Sequence, residues 1–143
     1  MLHNVKAALV RQQKIQQKNV RSVPVERLGC LVLEFGREQK AGFILAVGGG
    51  SVLDGSKLVA CALTEGETRD AWDIVLSRRP ARCIPYASVM TLPATGSEMN
   101  ANSVISRLET KEKLAFVAPE NPRFSILDPE CCLSNCCVLL YST

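Results

Sequence analysis

Apolar residues fall into short runs along this chain, and most of these runs alternate with helical patterns. In the stretch that begins at Pro24, apolar side chains recur at helical spacing. They form one predicted stripe, made of Leu28, Leu31, Val32 and Phe35. Gly36 and the charged run 37–40 end this predicted helix. The all-apolar run 43–47 comes next, and an apolar run bounded by glycine predicts a fully buried strand.

The same alternation continues after the glycines. Apolar positions predict a helix over residues 52–63, whereas residues 66–82 are polar and predict a loop. Strand patterns follow at 88–92, in a hairpin of 103–108 with 114–117, and at 124–127. A helical stripe that leads into an all-apolar strand is typical of an α/β fold, a parallel sheet with helices on its faces.

The glycine turn at residues 48–50 is the first candidate site. It follows the strand 43–47 and leads into a helix, with Ser51 as the predicted N-cap and Asp54 in the first turn. Glycines let a ligand approach the backbone, and the amide groups at a helix start attract anions. The pattern therefore predicts a phosphate or pyrophosphate site, with an ordinary strand-to-helix turn as the alternative.

Two known phosphate motifs fit this turn poorly. A dinucleotide fingerprint requires G-x-G-x-x-G, but the turn reads GGGS. A P-loop requires lysine before serine or threonine, whereas Ser56 precedes Lys57 here. A P-loop role for Lys57 is therefore not supported.

A second polar loop follows the predicted strand 88–92 and carries hydroxyl groups. Ligands of open parallel sheets bind where loops converge at the carboxyl ends of strands. Thr91, Thr95 and Ser97 offer hydroxyls there. The loop is not a G-x-S-x-G nucleophile elbow, because Thr95 stands two residues before Ser97. Since His3 is the only histidine, a serine hydrolase is disfavoured.

Composition narrows the classes of function. The 143 residues suit one domain, and 47% hydrophobic residues can form a core. A net charge of +3 gives no support for nucleic-acid or membrane binding. The basic segment 2–19 is interpreted as a solvated helix face or frayed arm rather than an RNA-binding arm. We see no secretory signal, so the seven cysteines indicate a reduced, cytoplasmic chain.

Four segments occur in the order found in one known family. They are GGGSVLDGSK at 48–57, TLPATGSE at 91–98, VISR at 104–107 and ILDP at 126–129. The chain thereby resembles the iron-containing alcohol dehydrogenases, most of all their NADPH-dependent butanol and aldehyde reductases. The resemblance runs from about residue 34 to residue 130. It implies a Rossmann-like, dinucleotide-binding α/β domain over residues 1–130, in which 1–23 form a poorly matched arm, and a divergent tail at 131–143.

The resemblance also implies roles for particular residues. The glycine turn of the family binds the pyrophosphate of NADP or NAD, and the hydroxyl loop lies along the ribose and nicotinamide. A lysine at the end of the hairpin also contacts the cofactor. The implied cofactor-binding residues are Gly49, Gly50, Ser51, Asp54, Thr91, Thr95, Ser97 and Lys113.

The chain departs from the family at the metal site. The family holds iron or zinc with one aspartate and three histidines in a helical domain, but no Asp or His follows Asp128. The tail carries Cys131, Cys132, Cys136 and Cys137, whose paired spacing differs from two C-x-x-C motifs and disfavours zinc. An aberrant reading frame or unusual splicing is the alternative origin of this tail.

We therefore expect a truncated dehydrogenase that carries most of the cofactor half, binds the dinucleotide and lacks catalytic and metal residues of its own. In the full-length family the substrate is a small alcohol or aldehyde, and a homodimer is an expected partner. The alternatives are a non-catalytic nucleotide-binding module and a degenerate product that does not fold stably.

Overall fold

The computed structural model describes residues 25–65 and 70–132. The predictions for residues 2–19 and for Cys136 and Cys137 lie outside these ranges. The regular elements follow each other in chain order: α1 (Val25–Glu38), β1 (Ile44–Gly49), α2 (Gly50–Ala62), α3 (Ala71–Ser77), β2 (Tyr86–Leu92), β3 (Asn102–Arg107), β4 (Glu112–Val117), β5 (Ser125–Ile126) and a 3-10 turn (Pro129–Cys132).

The strands form two sheets. Strands β1, β2 and β5 make a parallel sheet in the order β1–β2–β5, while β3 and β4 pair as an antiparallel hairpin. The parallel connection from β1 to β2 contains α2 and α3, as a βαβ crossover requires. The predicted α/β class, the parallel sheet and the hairpin are confirmed.

Two clusters of buried apolar side chains hold the layers together. The smaller cluster joins α2 to the parallel sheet through Leu53, Ala46 and Met90. The larger cluster joins α1, α2, α3 and the hairpin, and it includes Leu33, Cys61, Ala62, Trp72, Ile74, Val75, Phe116 and Ala118. Within the ranges that the structure describes, no helix has the length and apolar character needed to span a membrane.

The prediction of a fully buried strand at 43–47 was wrong for one face of the sheet. Ala46 faces α2 and is buried, but Leu45 is 44% exposed and Val47 is 43% exposed. On the neighbouring strands, Phe124 and Ile126 are also exposed. Among the described residues, helix α2 packs against β1 and β2, and the 3-10 turn contacts β2, but these contacts leave Leu45 and Val47 exposed. The apolar run predicted the strand correctly but not its surroundings.

Helix α1 is present, but two members of its predicted apolar stripe do not face the core. Leu31 and Phe35 are exposed, whereas Leu33 is buried and Gly36 packs against Leu63 of the segment after α2. The contacting face is therefore rotated from the stripe that spacing alone predicted. Spacing fixes which residues share a helix face, but tertiary contacts decide which face is buried.

Helix α3 lies in the segment that the sequence predicted as a polar loop. Asp70 caps it by accepting a hydrogen bond from the Trp72 backbone amide at 2.9 Å, and Arg78 ends it in the left-handed conformation. Trp72, Ile74 and Val75 are buried in the larger cluster. The basic residues around it make the segment polar on average, which concealed its apolar face.

Candidate functional site

The loops after β1 and β2 meet at the carboxyl end of the parallel sheet. Gly49 pairs with Leu92 after an irregularity in the register between Gly48 and Gly49. Gly50 lies directly against Thr95, since a Cβ atom built at Gly50 would stand 2.6 Å from Thr95 Oγ1. The predicted convergence of the glycine turn and the hydroxyl loop is therefore present. This is the position at which open parallel sheets bind ligands.

Helix α2 begins at the glycine turn without a side-chain cap. Gly49 occupies the N-cap position, and no side chain there accepts a hydrogen bond. Ser51 is exposed inside the first turn, so its prediction as the N-cap was wrong. Asp54 lies beyond the first turn, contrary to its predicted place. Since the first amides lack a side-chain acceptor and the helix dipole is positive here, this turn suits an anionic ligand.

A Cβ atom at Gly49 would face β2 rather than open space. Its nearest neighbour would be Leu92 Cβ at 3.2 Å, a separation that a small shift could relieve. Gly50, by contrast, allows the close approach of the neighbouring loop. Tight packing therefore requires glycine at Gly50 and also at Gly48, where a Cβ atom would stand 2.7 Å from Val52 Cβ.

The hydroxyl loop is internally ordered around Gly96. Thr95 Oγ1 and Ser97 Oγ lie 2.8 Å apart, and Ser97 is buried while Thr95 is exposed. Gly96 has a φ of 72°, a left-handed conformation that favours glycine. Thr91 lies earlier, on β2, and is half-buried. Thr95 therefore presents an exposed hydroxyl that Ser97 holds in place from beneath.

Two sets of contacts fix this loop to the rest of the fold. Asn100 bridges it locally, because Nδ2 donates to the Gly96 carbonyl at 2.8 Å and Oδ1 accepts from the Asn102 amide at 2.9 Å. Ser125 Oγ donates to the Glu98 carbonyl and accepts from Ser88 Oγ at 2.8 Å. These contacts tie the loop both to the start of β3 and to the interior of the sheet. Sequence reasoning did not identify Asn100, although its position just before a strand is typical of an Asx turn.

Asp54 contacts the hairpin, and its predicted contact with the cofactor stays a prediction. Its Oδ2 accepts a hydrogen bond from the Val104 amide at 3.0 Å, and its backbone carbonyl accepts one from Ser103 Oγ at 2.9 Å. Its Oδ1 lies 3.5 Å from Lys57 Nζ, one helical turn along α2. The structure thus places Asp54 between α2 and β3, where it positions backbone groups.

Lys57 is the main polar residue that the sequence interpretation missed. Its side chain is fully buried, and Nζ donates to the Asn102 carbonyl at 2.6 Å. Burial lowers its pKa from the ordinary value, while the charges of Asp54 and Glu98 act in the opposite direction. The sequence signal that could have identified this ion pair is the separation of three residues between Asp54 and Lys57, which places both side chains on the same face of one helix.

Lys113 lies apart from the converging loops. It is exposed on β4, where it pairs in register with Ser106. The pair formed by Ser103 and Phe116 adjoins Asp54, and Lys113 lies three residues farther along β4, about 10 Å away at the usual strand rise. A cofactor contact for Lys113 therefore stays a prediction.

Burial disfavours the ionised forms of the Cys61 thiol and the Tyr86 phenol. Burial raises the pKa of Cys61 to about 12, with Cys83 contributing in the same direction. Burial also raises the pKa of Tyr86, whose hydroxyl donates to the Glu120 carbonyl at 2.7 Å. Among residues 25–65 and 70–132, no group of three or more His, Cys, Asp or Glu side chains could hold a metal ion.

Comparison with known proteins finds a family match over most of the chain. Residues 2–129 match the family model described as iron-containing alcohol dehydrogenase. The NADPH-dependent aldehyde reductase YqhD of Escherichia coli (strain K12) is 52% identical over 96 residues, which are 65% of this chain and 25% of that protein. The probable NADH-dependent butanol dehydrogenase 1 of Bacillus subtilis (strain 168) is 52% identical over 96 residues, or 65% and 24% of the two chains.

Solved structures of related proteins also superpose on this chain. The crystal structure of Escherichia coli K-12 YqhD superposes with a TM-score of 0.67 and 47% identity, covering 71% of this chain and 27% of that one. The sulfoacetaldehyde reductase of Bifidobacterium kashiwanohense in complex with NAD+ gives a TM-score of 0.68 and 27% identity, over 75% and 29% of the two chains. The chain spans about a quarter of the length of the relatives it matches.

Proposed function

The chain belongs to the iron-containing alcohol dehydrogenase family, and on this premise we propose that it forms the dinucleotide-binding part of an alcohol dehydrogenase or aldehyde reductase. The complete reaction is a hydride transfer between NADP(H) and a small alcohol or aldehyde. Relatives of equal identity are named for NADPH and for NADH, so both cofactors are considered. We propose NADP(H) first and NAD(H) as the alternative.

The observation that carries this proposal is the contact between the two loops at the end of the sheet. The backbone at Gly50 comes so close to Thr95 that no side chain fits between them. An uncapped helix start and an ordered pair of hydroxyls therefore border the same space. A dinucleotide carries both of the groups that such a site recognises, a pyrophosphate and the hydroxyls of its riboses.

The residues present fit a dinucleotide, and each has a definable task. The backbone amides at Gly49, Gly50 and Ser51 would bind the pyrophosphate, because they lie at the positive end of α2. The hydroxyls of Thr91 and Thr95 would orient the ribose and nicotinamide. Ser97 would hold the Thr95 hydroxyl, and Lys113, at the end of the hairpin, would contact another part of the cofactor. The bound nicotinamide supplies the hydride chemistry.

The metal that the family name implies does not fit the described residues. No cluster of three or more ligating side chains exists within them, so we derive no step through a metal. Hydride transfer to a carbonyl requires stabilisation of the negative charge that develops on its oxygen. We therefore expect the 143-residue chain to bind the dinucleotide without turnover, and this makes a nucleotide-binding module the second candidate function.

A titration of NADPH into the purified chain, followed by cofactor fluorescence, tests the proposal. Thr95→Val should weaken binding by about tenfold, roughly 1.4 kcal/mol, because it removes a hydroxyl from the proposed site. Thr110→Val removes an equivalent hydroxyl from the hairpin turn and should leave the affinity unchanged. A wild-type chain that binds neither NADPH nor NADH would overturn the assignment.

A second assay separates the two candidate functions. NADPH consumption is followed with short-chain aldehydes in the presence of added ferrous or zinc ions. Binding without consumption supports the nucleotide-binding module. Metal-dependent consumption that Thr95→Val abolishes would show instead that this chain is itself the enzyme.

A further inference from the structure

Lys57 is a charged residue at a position where only apolar side chains would be expected. It lies on α2 with none of its surface exposed, and it is the largest fully buried side chain of the described residues. Moving an ammonium group out of water is costly unless the charge is paired and hydrogen-bonded. The contacts of the Lys57 ammonium group therefore indicate which part of the fold this buried charge stabilises.

The ammonium group holds the first residues of β3. Lys57 Nζ donates to the Asn102 carbonyl at 2.6 Å and lies 3.5 Å from Asp54 Oδ1. Asp54 in turn accepts the Val104 amide at 3.0 Å through its other oxygen. The ion pair on α2 thus forms hydrogen bonds with the β3 backbone on both sides of Ser103. The hydroxyl of Ser103 itself donates to the Asp54 carbonyl.

These contacts fix one end of the hydroxyl loop relative to α2. The loop runs from β2 to Asn102, and Asn100 bonds both to Asn102 and to Gly96 within it. The other side of the loop touches the start of the same helix, where Thr95 packs on Gly50. Helix α2 therefore carries the glycine turn at its amino end and, one to two turns later, the anchor of the opposite loop.

Two buried carboxylate oxygens show that the charge of Lys57 matters at this position. Asp54 Oδ1 and Glu98 Oε2 are both buried and have no hydrogen-bond partner among the described residues. Lys57 is a cation whose charge acts on both carboxylates. Without it, two carboxylates would share a buried region with no compensating charge, and the loop that carries Glu98 would be pushed away from α2.

We infer that Lys57 is a positioning residue of the dinucleotide site. Its ammonium group, acting through Asp54 and the Asn102 carbonyl, holds the hydroxyl loop against the glycine turn. Because the side chain is fully buried, it affects affinity without touching the ligand. This inference rests on the proposed function, since it concerns the same two loops.

The test compares Lys57→Met, which keeps the length but removes the charge, with Lys111→Met, which removes an exposed lysine from the hairpin turn. NADPH affinity of the full chain is measured as a function of pH. Lys57→Met should lose about tenfold in affinity and Lys111→Met none. Because burial lowers the pKa of Lys57 from the ordinary value of 10.5, the wild-type affinity should fall with rising pH already below that value, where Lys57 loses its proton. Lys57→Met should lack this fall, whereas a merely structural role would leave it in place.

Hydrogen exchange provides a readout that does not need the ligand. The Val104 amide bonds to Asp54, so Lys57→Met should speed its exchange while the amides of β1 stay protected. If Lys57→Met fails to fold, Lys57→Gln removes the charge but keeps a donor for the Asn102 carbonyl. The same losses are expected from it.

The possible failures are distinguishable. A wild-type chain that does not bind NADPH overturns the proposed function, and hydrogen exchange at Val104 then decides on the positioning role. A wild-type chain that binds, together with Lys57 variants of equal affinity and unchanged pH profile, overturns the inference alone.

Discussion

The close approach of Gly50 to Thr95 gives the sharpest prediction for the site. In Gly50→Ala, the new Cβ atom would lie 2.6 Å from Thr95 Oγ1, whereas ordinary contacts begin at 3.4 Å. The hydroxyl must therefore move by about 0.8 Å or rotate away. Either movement breaks the 2.8 Å contact between Thr95 Oγ1 and Ser97 Oγ. The substitution thus separates the two loops without adding charge or large volume.

The expected effects on stability and on binding differ in size. Loss of one hydrogen bond lowers the free energy of unfolding by about 1 kcal/mol, whereas alanine in place of glycine in a helix raises it by up to about 1 kcal/mol. The free energy of unfolding should therefore change little. Dinucleotide affinity should fall about tenfold, or roughly 1.4 kcal/mol, because the hydroxyl that orients the ligand is displaced.

Gly55→Ala is the matched control, since it makes the same chemical change on the same helix. A Cβ atom at Gly55 would meet no atom within 4 Å. We expect it to raise the free energy of unfolding by about 0.5–1 kcal/mol and to leave affinity unchanged. Urea unfolding and NADPH titration measure the two quantities. Equal affinities of Gly50→Ala and Gly55→Ala would refute the reasoning.

Three further predictions concern the hairpin and the buried thiol. Lys113→Met should weaken NADPH binding about tenfold if the lysine reaches the cofactor, whereas Lys111→Met should not; equal affinities would remove Lys113 from the site. Ser103→Ala should lower the free energy of unfolding by about 1 kcal/mol in urea, because a buried hydrogen bond to the Asp54 carbonyl is lost, and an unchanged midpoint would contradict this. Since the pKa of Cys61 is raised from 9.0 to about 12, its contribution to stability is complete below pH 9 and is lost as pH rises through about 12. Cys61→Ala should therefore show a shallower loss of stability over that range, and a slope equal to that of the wild type would disprove the assignment.

Much of the framework could be predicted because its signals are local. An apolar run followed by glycines predicted β1 and the start of α2, and alternation around a charged turn predicted the hairpin of β3 and β4. The convergence of the glycine turn with the hydroxyl loop could also be predicted, since parallel strands end at the same edge of a sheet. The order of these elements along the chain can be predicted without knowledge of long-range contacts beyond strand pairing.

The N-cap residue of α2 was not predicted correctly from the sequence. Ser51 has a strong preference for the N-cap, but the helix begins two residues earlier than that preference indicates, with Gly49 as its cap. Where a helix begins depends on how the preceding strand ends. Here Gly49 still pairs with Leu92 of β2, a contact that no local pattern contains.

The sequence by itself therefore determined the order and type of most elements, together with the residues that two loops could offer to a ligand. Only the tertiary structure decided which faces are buried: Leu45 and Val47 lie on an exposed face, while a lysine lies fully inside. It also decided that Asp54 and Lys57 form hydrogen bonds with the backbone of β3. The physical reason is that a local pattern fixes a residue's place on its own helix or strand, whereas its environment depends on partners distant in the chain.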